Sequence, residues 1–210
     1  MRATALFDPA ARLRLETAIA QAERATSGEI VLVVVRACDE YGSAGWRFAV
    51  LLAAAAFAAL AAFAPPLDIW LYLAAQAAAL GVGHALARIE ALRRALLPEP
   101  LVEQRVAERA RRAFTEHGLA RTQGRTGILL LVALLEHRVV VLADEGIHRA
   151  LDPDESWQEV VDLAVAGLRS GRAVEGIEAA VRRCGAILAR HVGASAANAD
   201  ELPNRVVLED

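Results

Sequence analysis

From Trp46 to Ala87 the chain carries only two charged side chains, Arg47 and Asp68. So long an apolar stretch must be covered, by protein or by lipid, and it limits the fold more than any other feature. It divides into two runs of equal length, 46–64 and 69–87, separated by Pro65-Pro66-Leu67-Asp68. As a helix, each run rises about 28 Å, near the hydrocarbon thickness of a bilayer. The two-proline break predicts an antiparallel helical hairpin, with Trp46 at one end and Trp70 and Tyr72 near the other. More than half of the first run is Ala, and Gln76 and His84 interrupt the second, so a buried soluble hairpin is the competing reading. The rest of the chain carries nearly all of the charged side chains and offers little core to bury it in. Small residues also suit close helix contact in lipid. The expectation is a transmembrane hairpin.

The flanks set its orientation. Arg36 and Arg47 precede the first run or stand at its start, Arg88, Arg93 and Arg94 follow the second, and the connection has one Asp and no basic residue. The excess of Arg on the flanks predicts that both termini and the soluble domain face the cytoplasm, at a bacterial inner membrane. The start of the chain, Met1-Arg2-Ala3-Thr4, has no apolar signal-peptide core, which agrees. His84 reads as a polar residue near the cytoplasmic interface.

Several function classes fall away. Net charge is −3 and the chain has no Lys, so it lacks the dense basic surface of a nucleic-acid binder, and no nucleic-acid partner is expected. The expected partners are the lipid bilayer and other membrane proteins. Cys38 and Cys184 stand too far apart to suggest a zinc site or a disulfide framework, and each reads as a small buried residue. The five histidines, at 84, 117, 137, 148 and 191, form no pair at ligand spacing on one helix face. Gly124-Arg125-Thr126 fails as a phosphate-binding loop, because it lacks the upstream Gly and the Lys and precedes a strand.

Outside the hairpin, apolar periodicity gives the order αβ–[hairpin]–αββαα. Asp8-Pro9 predicts a helix start, and residues 30–35 a buried strand. A helix follows over 101–117, and strands over 128–135 and 138–143 form a hairpin around Glu136-His137. Asp152-Pro153, with Glu155, opens another helix, and Gly171 separates it from the last one. The fold class is α/β, a small mixed β-sheet sandwiched by helices. Residues 1–38 and 98–192 form two parts of one domain interrupted by the hairpin at 46–87. Residues 193–210 read as a flexible tail, although 205–208 could pair as a short strand.

The strand directions bring three polar segments to one edge of the sheet: Thr26-Ser27-Gly28-Glu29-Ile30, Arg125-Thr126-Gly127-Ile128 and Ala143-Asp144-Glu145-Gly146-Ile147. Ser27, Glu29, Thr126, Asp144 and Glu145 are expected to gather there. These same segments resemble the TPM-domain family, named after a thylakoid lumen protein, a photosystem II repair factor and a nematode acetylcholine-receptor modulator. The resemblance runs from residue 8 to about 190 and extends to a bacterial membrane branch with an inserted transmembrane hairpin. It implies a TPM-like fold and two kinds of activity. Some members are linked to repair or assembly of membrane complexes, while a plant member is described as an acid phosphatase and some members bind calcium. Carried over by motif position, Asp144 and Glu145 are the candidate carboxylates.

Three readings of the edge follow. Asp144-Glu145-Gly146 is an ordinary turn, in which Gly146 supplies a positive φ. Alternatively Asp144 and Glu145, with Glu29, hold Ca²⁺ or Mg²⁺, and Ser27 and Thr126 add binding groups. The third is a divalent-metal-assisted phosphatase that uses Asp144. The functional expectation is a membrane-anchored interaction, assembly or maintenance module for membrane complexes, with the phosphatase as the alternative.

Overall fold

The computed structural model describes residues 3–63, 68–151, 156–193 and 201–210. The chain forms two compact units, one of residues 1–38 and 104–210 and one of residues 39–103, so the second interrupts the first in sequence. In chain order the helices and strands are α1 (Ala3–Leu6), α2 (Pro9–Glu23), β1 (Glu29–Val35), α3 (Gly42–Phe63), α4 (Ile69–Leu86), α5 (Glu90–Leu96) and α6 (Glu99–Glu116). Two short 3₁₀ turns, Leu119–Arg121 and Gln123–Arg125, lead to β2 (Gly127–Ala133) and β3 (Arg138–Ala143). The chain then forms α7 (Glu145–Ala150), α8 (Gln158–Arg169), α9 (Ala173–His191) and β4 (Val206–Glu209).

Among the described residues the sheet has the order β3-β2-β1-β4. β1 and β2 run parallel from Glu29↔Gly127 to Val35↔Ala133, because the chain between them crosses back through α6. β2 and β3 are antiparallel, and His137 takes a φ of 53° in the turn that joins them. β4 lies parallel to β1, starting at Leu32↔Val206. The segment read as a flexible tail thus returns to the sheet at 206–209, close to the 205–208 pairing that the sequence allowed.

Every residue of β1 and β2 is buried, so both sheet faces are covered. Ile30, Leu32 and Val34 of β1, with Ile128, Leu130 and Val132 of β2, join a core with Leu15 and Ile19 of α2, Val160 of α8 and Ile177 of α9. Alternation along a strand sends Val31, Val33, Leu129 and Leu131, also buried, to the opposite face. That is the side of α6, whose Arg109 grips Glu209 of β4 at 2.6 Å. Each such fully buried Leu or Ile contributes about 1.5–3 kcal/mol. Continuous apolar strands and helices on both faces are two aspects of one arrangement.

Local chemistry explains the helix starts. Asp8 accepts from the Ala11 N–H at 2.7 Å, and Pro9 stands at the first position, where no donor is needed. α8 and α9 touch backbone to backbone, since a Cβ on Gly167 would stand 2.5 Å from the Gly176 Cα. The helix start read at Asp152-Pro153 with Glu155, and the break at 65–67, lie outside the described residues. Cys184 is buried as expected, and burial pushes its thiol pKa up to about 12. Cys38 is only half-buried, because it follows the strand rather than lying within it.

In the inserted unit α3 and α4 pack against each other. The approach is close enough that a Cβ on Gly83 would stand 2.7 Å from the Ala49 Cα. Asp68 caps α4 by accepting from the Trp70 N–H at 2.8 Å. Trp46 and His84 bring their rings to 5.0 Å, and Phe57 and Tyr72 to 6.2 Å. The remaining surface is apolar, with Leu51, Phe63 and Trp70 exposed by 69%, 90% and 75%. Two stretches, Gly45–Phe63 and Ile69–Leu86, are long and apolar enough to cross a membrane.

Candidate functional site

The polar edge forms where β1 and β2 begin and β3 ends. The Glu29 N–H donates to the Thr126 carbonyl at 3.2 Å, and the Asp144 N–H donates to the Gly127 carbonyl at 2.9 Å. Thr126 Oγ1 donates to the Ser27 carbonyl at 3.0 Å, and Ser27 Oγ donates to the Gly193 carbonyl at 3.0 Å. The residues read from the sequence as one edge do therefore share it. Their side chains are turned largely to holding the segments together.

Asp144 is the N-cap of α7, not a turn residue. One carboxylate oxygen accepts from the Glu145 N–H at 2.7 Å and from Arg125 Nη2 at 3.1 Å. Arg125 Nε lies 3.2 and 3.4 Å from the two oxygens. The carboxylate is buried, while the Arg125 side chain is 57% exposed. This bond and the charge of Asp144 hold the Arg125 guanidinium pKa above its ordinary value. Glu145 is exposed and pairs with Arg149 on the same helix, with Arg125 Nη1 3.7 Å away. The bond from Arg149 is the main reason its carboxyl sits below the usual range.

Gly146 is needed for a reason other than the one expected. The glycines with positive φ are Gly118, Gly124 and Gly171 among the described residues, and Gly146 lies inside α7. A Cβ there would stand 2.1 Å from the Gly124 carbonyl oxygen and 2.6 Å from that of Arg125. The helix start is pressed against the backbone that leads into β2.

Glu29 is buried, and its Oε1 accepts from the Glu201 N–H at 3.1 Å. Glu201 in turn accepts from the Gln123 N–H at 3.0 Å. The segment before β4 thereby closes over the edge. Glu29 begins β1 and Asp144 directly follows β3, two strand places away, about 10 Å of backbone. Among the described residues no group of three His, Cys, Asp or Glu side chains is arranged to hold a metal ion. The sequence reading missed α7, Arg125 as the partner of Asp144, and the return of Glu201. The first had a signal, since Asp144 followed by Glu145 and then by Ile147 is a helix start.

These features define an α/β domain with a parallel-centred mixed sheet and an Asp-capped helix at its polar edge, interrupted by a pair of apolar helices. Residues 95–187, a little under half of the chain, match the model of the TPM domain family. The NMR structure of the BA42 protein from the psychrophilic bacterium Bizionia argentinensis is similar, with a TM-score of 0.58 and 17% identity. The likeness covers 97% of this chain and 95% of that one, and it is a likeness of fold. No protein of curated function matches the sequence.

Proposed function

We propose that the chain is a membrane-anchored TPM domain that serves as an interaction, assembly or maintenance module for membrane complexes. One observation carries the reading. The two apolar stretches of the inserted unit are only 11% and 6% buried, which leaves a surface that water does not suit. Lipid covers such a surface and protein in this unit does not. Arg47, Arg88, Arg93 and Arg94 belong to the end of the hairpin where the chain enters and leaves, and Asp68 to the other. That bias favours a bacterial inner membrane with two spans and with both termini and the TPM domain in the cytoplasm. At the polar edge, Asp144 is committed to a cap and an ion pair, which supports a scaffold role over a metal-assisted phosphatase.

Reporter fusions test the topology. A reporter after residue 199 is expected to behave as cytoplasmic and one within 65–68 as periplasmic, and the reverse pattern overturns the placement. For the module, affinity capture from detergent-solubilised membranes is run with Asp144→Asn alongside. The same membrane proteins are expected with both chains, and phosphoester hydrolysis with neither. Hydrolysis by the unaltered chain that Asp144→Asn abolishes would replace the module with the enzyme.

A further inference from the structure

At the end of the inserted unit where the chain enters and leaves lies a pocket of about 160 Å³. Its lining includes Tyr41, Gly45, His84, Ala87, Arg88 and Arg93, with Glu40 at one side. Two of its residues carry buried polar atoms that lack a hydrogen-bond partner, Nδ1 of His84 and Nε of Arg93. A buried donor in that state is costly, and a ligand oxygen relieves it. Arg93 is already aimed by its Nη1, which donates to the Glu40 carbonyl at 3.1 Å. Arg88 is exposed and forms no ion pair among the described residues. Two guanidinium groups against one carboxylate leave the lining with a net positive charge.

We infer that this pocket binds the phosphate headgroup of an anionic phospholipid, with Arg88 and Arg93 as its charge partners and His84 as a hydrogen-bonding group. The inference rests on the membrane-anchor reading of the same hairpin. Three features fit that ligand. The volume equals roughly five water molecules at ~30 Å³ each, which suits a phosphodiester and not a whole lipid. His84 lies in the last turn of α4, and Gly45 begins the apolar stretch of α3, so the pocket sits at the depth of a headgroup. The planar, forked guanidinium matches phosphate oxygens in pairs. Basic pockets between spans on the cytoplasmic side recognise headgroups in this way. The exposed ring of Trp46, tilted against His84 at 5.0 Å, flanks the site as interfacial aromatics do.

The full chain, purified in a neutral detergent, is titrated with soluble short-chain phosphatidylglycerol, with the matching phosphatidylcholine and with inorganic phosphate. Bound molecules are counted by native mass spectrometry. One phosphatidylglycerol is expected to be retained in preference to phosphatidylcholine. Arg88→Gln should weaken it about fivefold, the effect of one basic charge near a lipid surface. Glu40→Gln should tighten it, which guards against a loss caused by misfolding. Equal retention of the two lipids, indifference to Arg88→Gln, or equal binding of inorganic phosphate would overturn the inference. Alkaline carbonate extraction of the source membranes separates the two levels. A chain released into the supernatant overturns both the anchor and the pocket, whereas one that stays in the pellet without headgroup preference overturns the pocket alone.

Discussion

Gly146→Ala tests the account of the polar edge most directly. The new methyl would stand 2.1 Å from the Gly124 carbonyl oxygen and 2.6 Å from the Arg125 carbonyl oxygen, both backbone atoms. Neither can swing aside as a flexible side chain does. Gly124 and Arg125 hold φ values of 75° and 55°, a tight turn with little room to adjust. Overpacking costs typically about 1–3 kcal/mol, and the upper end applies where backbone must move. Replacing Gly by Ala inside a helix returns about 1 kcal/mol of propensity, which leaves a net loss of about 2 kcal/mol. For a chain of this size that lowers Tm by roughly 4–8 °C. Thermal unfolding of the full chain in detergent, followed by tryptophan fluorescence, reads the shift. Gly81→Ala is the control, because it is helical and nothing lies within 4 Å of its Cβ. Its Tm should hold or rise. If Gly146→Ala melts with the unaltered chain, α7 does not press on the 124–125 backbone and the reasoning fails.

Asp144→Ala should cost about 1–2 kcal/mol through loss of the cap, and Asp144→Asn distinctly less, measured by the same melts. Ca²⁺ or Mg²⁺ should leave the Tm of the unaltered chain unchanged, and a rise that Asp144→Asn removes would restore the metal reading at Asp144, Glu145 and Glu29. Burial lowers the His117 pKa, so the folded chain binds fewer protons there than the unfolded one. Stability at this group is therefore lost as pH falls below the ordinary value of 6.5, and His117→Gln should narrow the Tm difference between pH 7.5 and 5.5. Maleimide should label Cys38 under native conditions and reach Cys184 only after unfolding, since the buried Cys184 thiol is held at about 12. Ending the chain before residue 201 should uncover the β1 edge and cause self-association, detectable by light scattering.

The strands were readable because burial on both faces leaves an unmistakable mark. Residues 30–35 and 128–133 have no polar interruption, and the structure places them as the two central, parallel strands. The edge cluster was readable for a related reason. Once one connection holds a helix and the other only a turn, strand direction fixes which ends meet. What escaped was contact between distant segments with no periodic signature. Arg125 finds Asp144 across 19 positions, and Glu29 finds Glu201 across 172. β4 escaped a firm reading because four residues are too few to show alternation. The role of Gly146 was hidden because a steric demand from a neighbouring backbone looks, in sequence, the same as a demand for positive φ.

The interruption of the domain by the apolar unit has a consequence in time. β1 is complete well before its partners exist, because the whole of α3 to α6 separates Glu29 from its register partner Gly127. At about 5–20 residues per second, synthesis leaves Glu-Ile-Val-Leu-Val-Val-Val unpaired for roughly 5–20 s. During that interval the strand destined for the centre of the sheet is an exposed β-former, charged only at its first residue, and the next elements to emerge are the apolar helices α3 and α4. Whatever captures those helices early, by holding them in another phase, also keeps β1 from meeting them. On the membrane-anchor reading, the order of elements along the chain makes early uptake of the hairpin by the bilayer a protection for β1 while it waits for its partners.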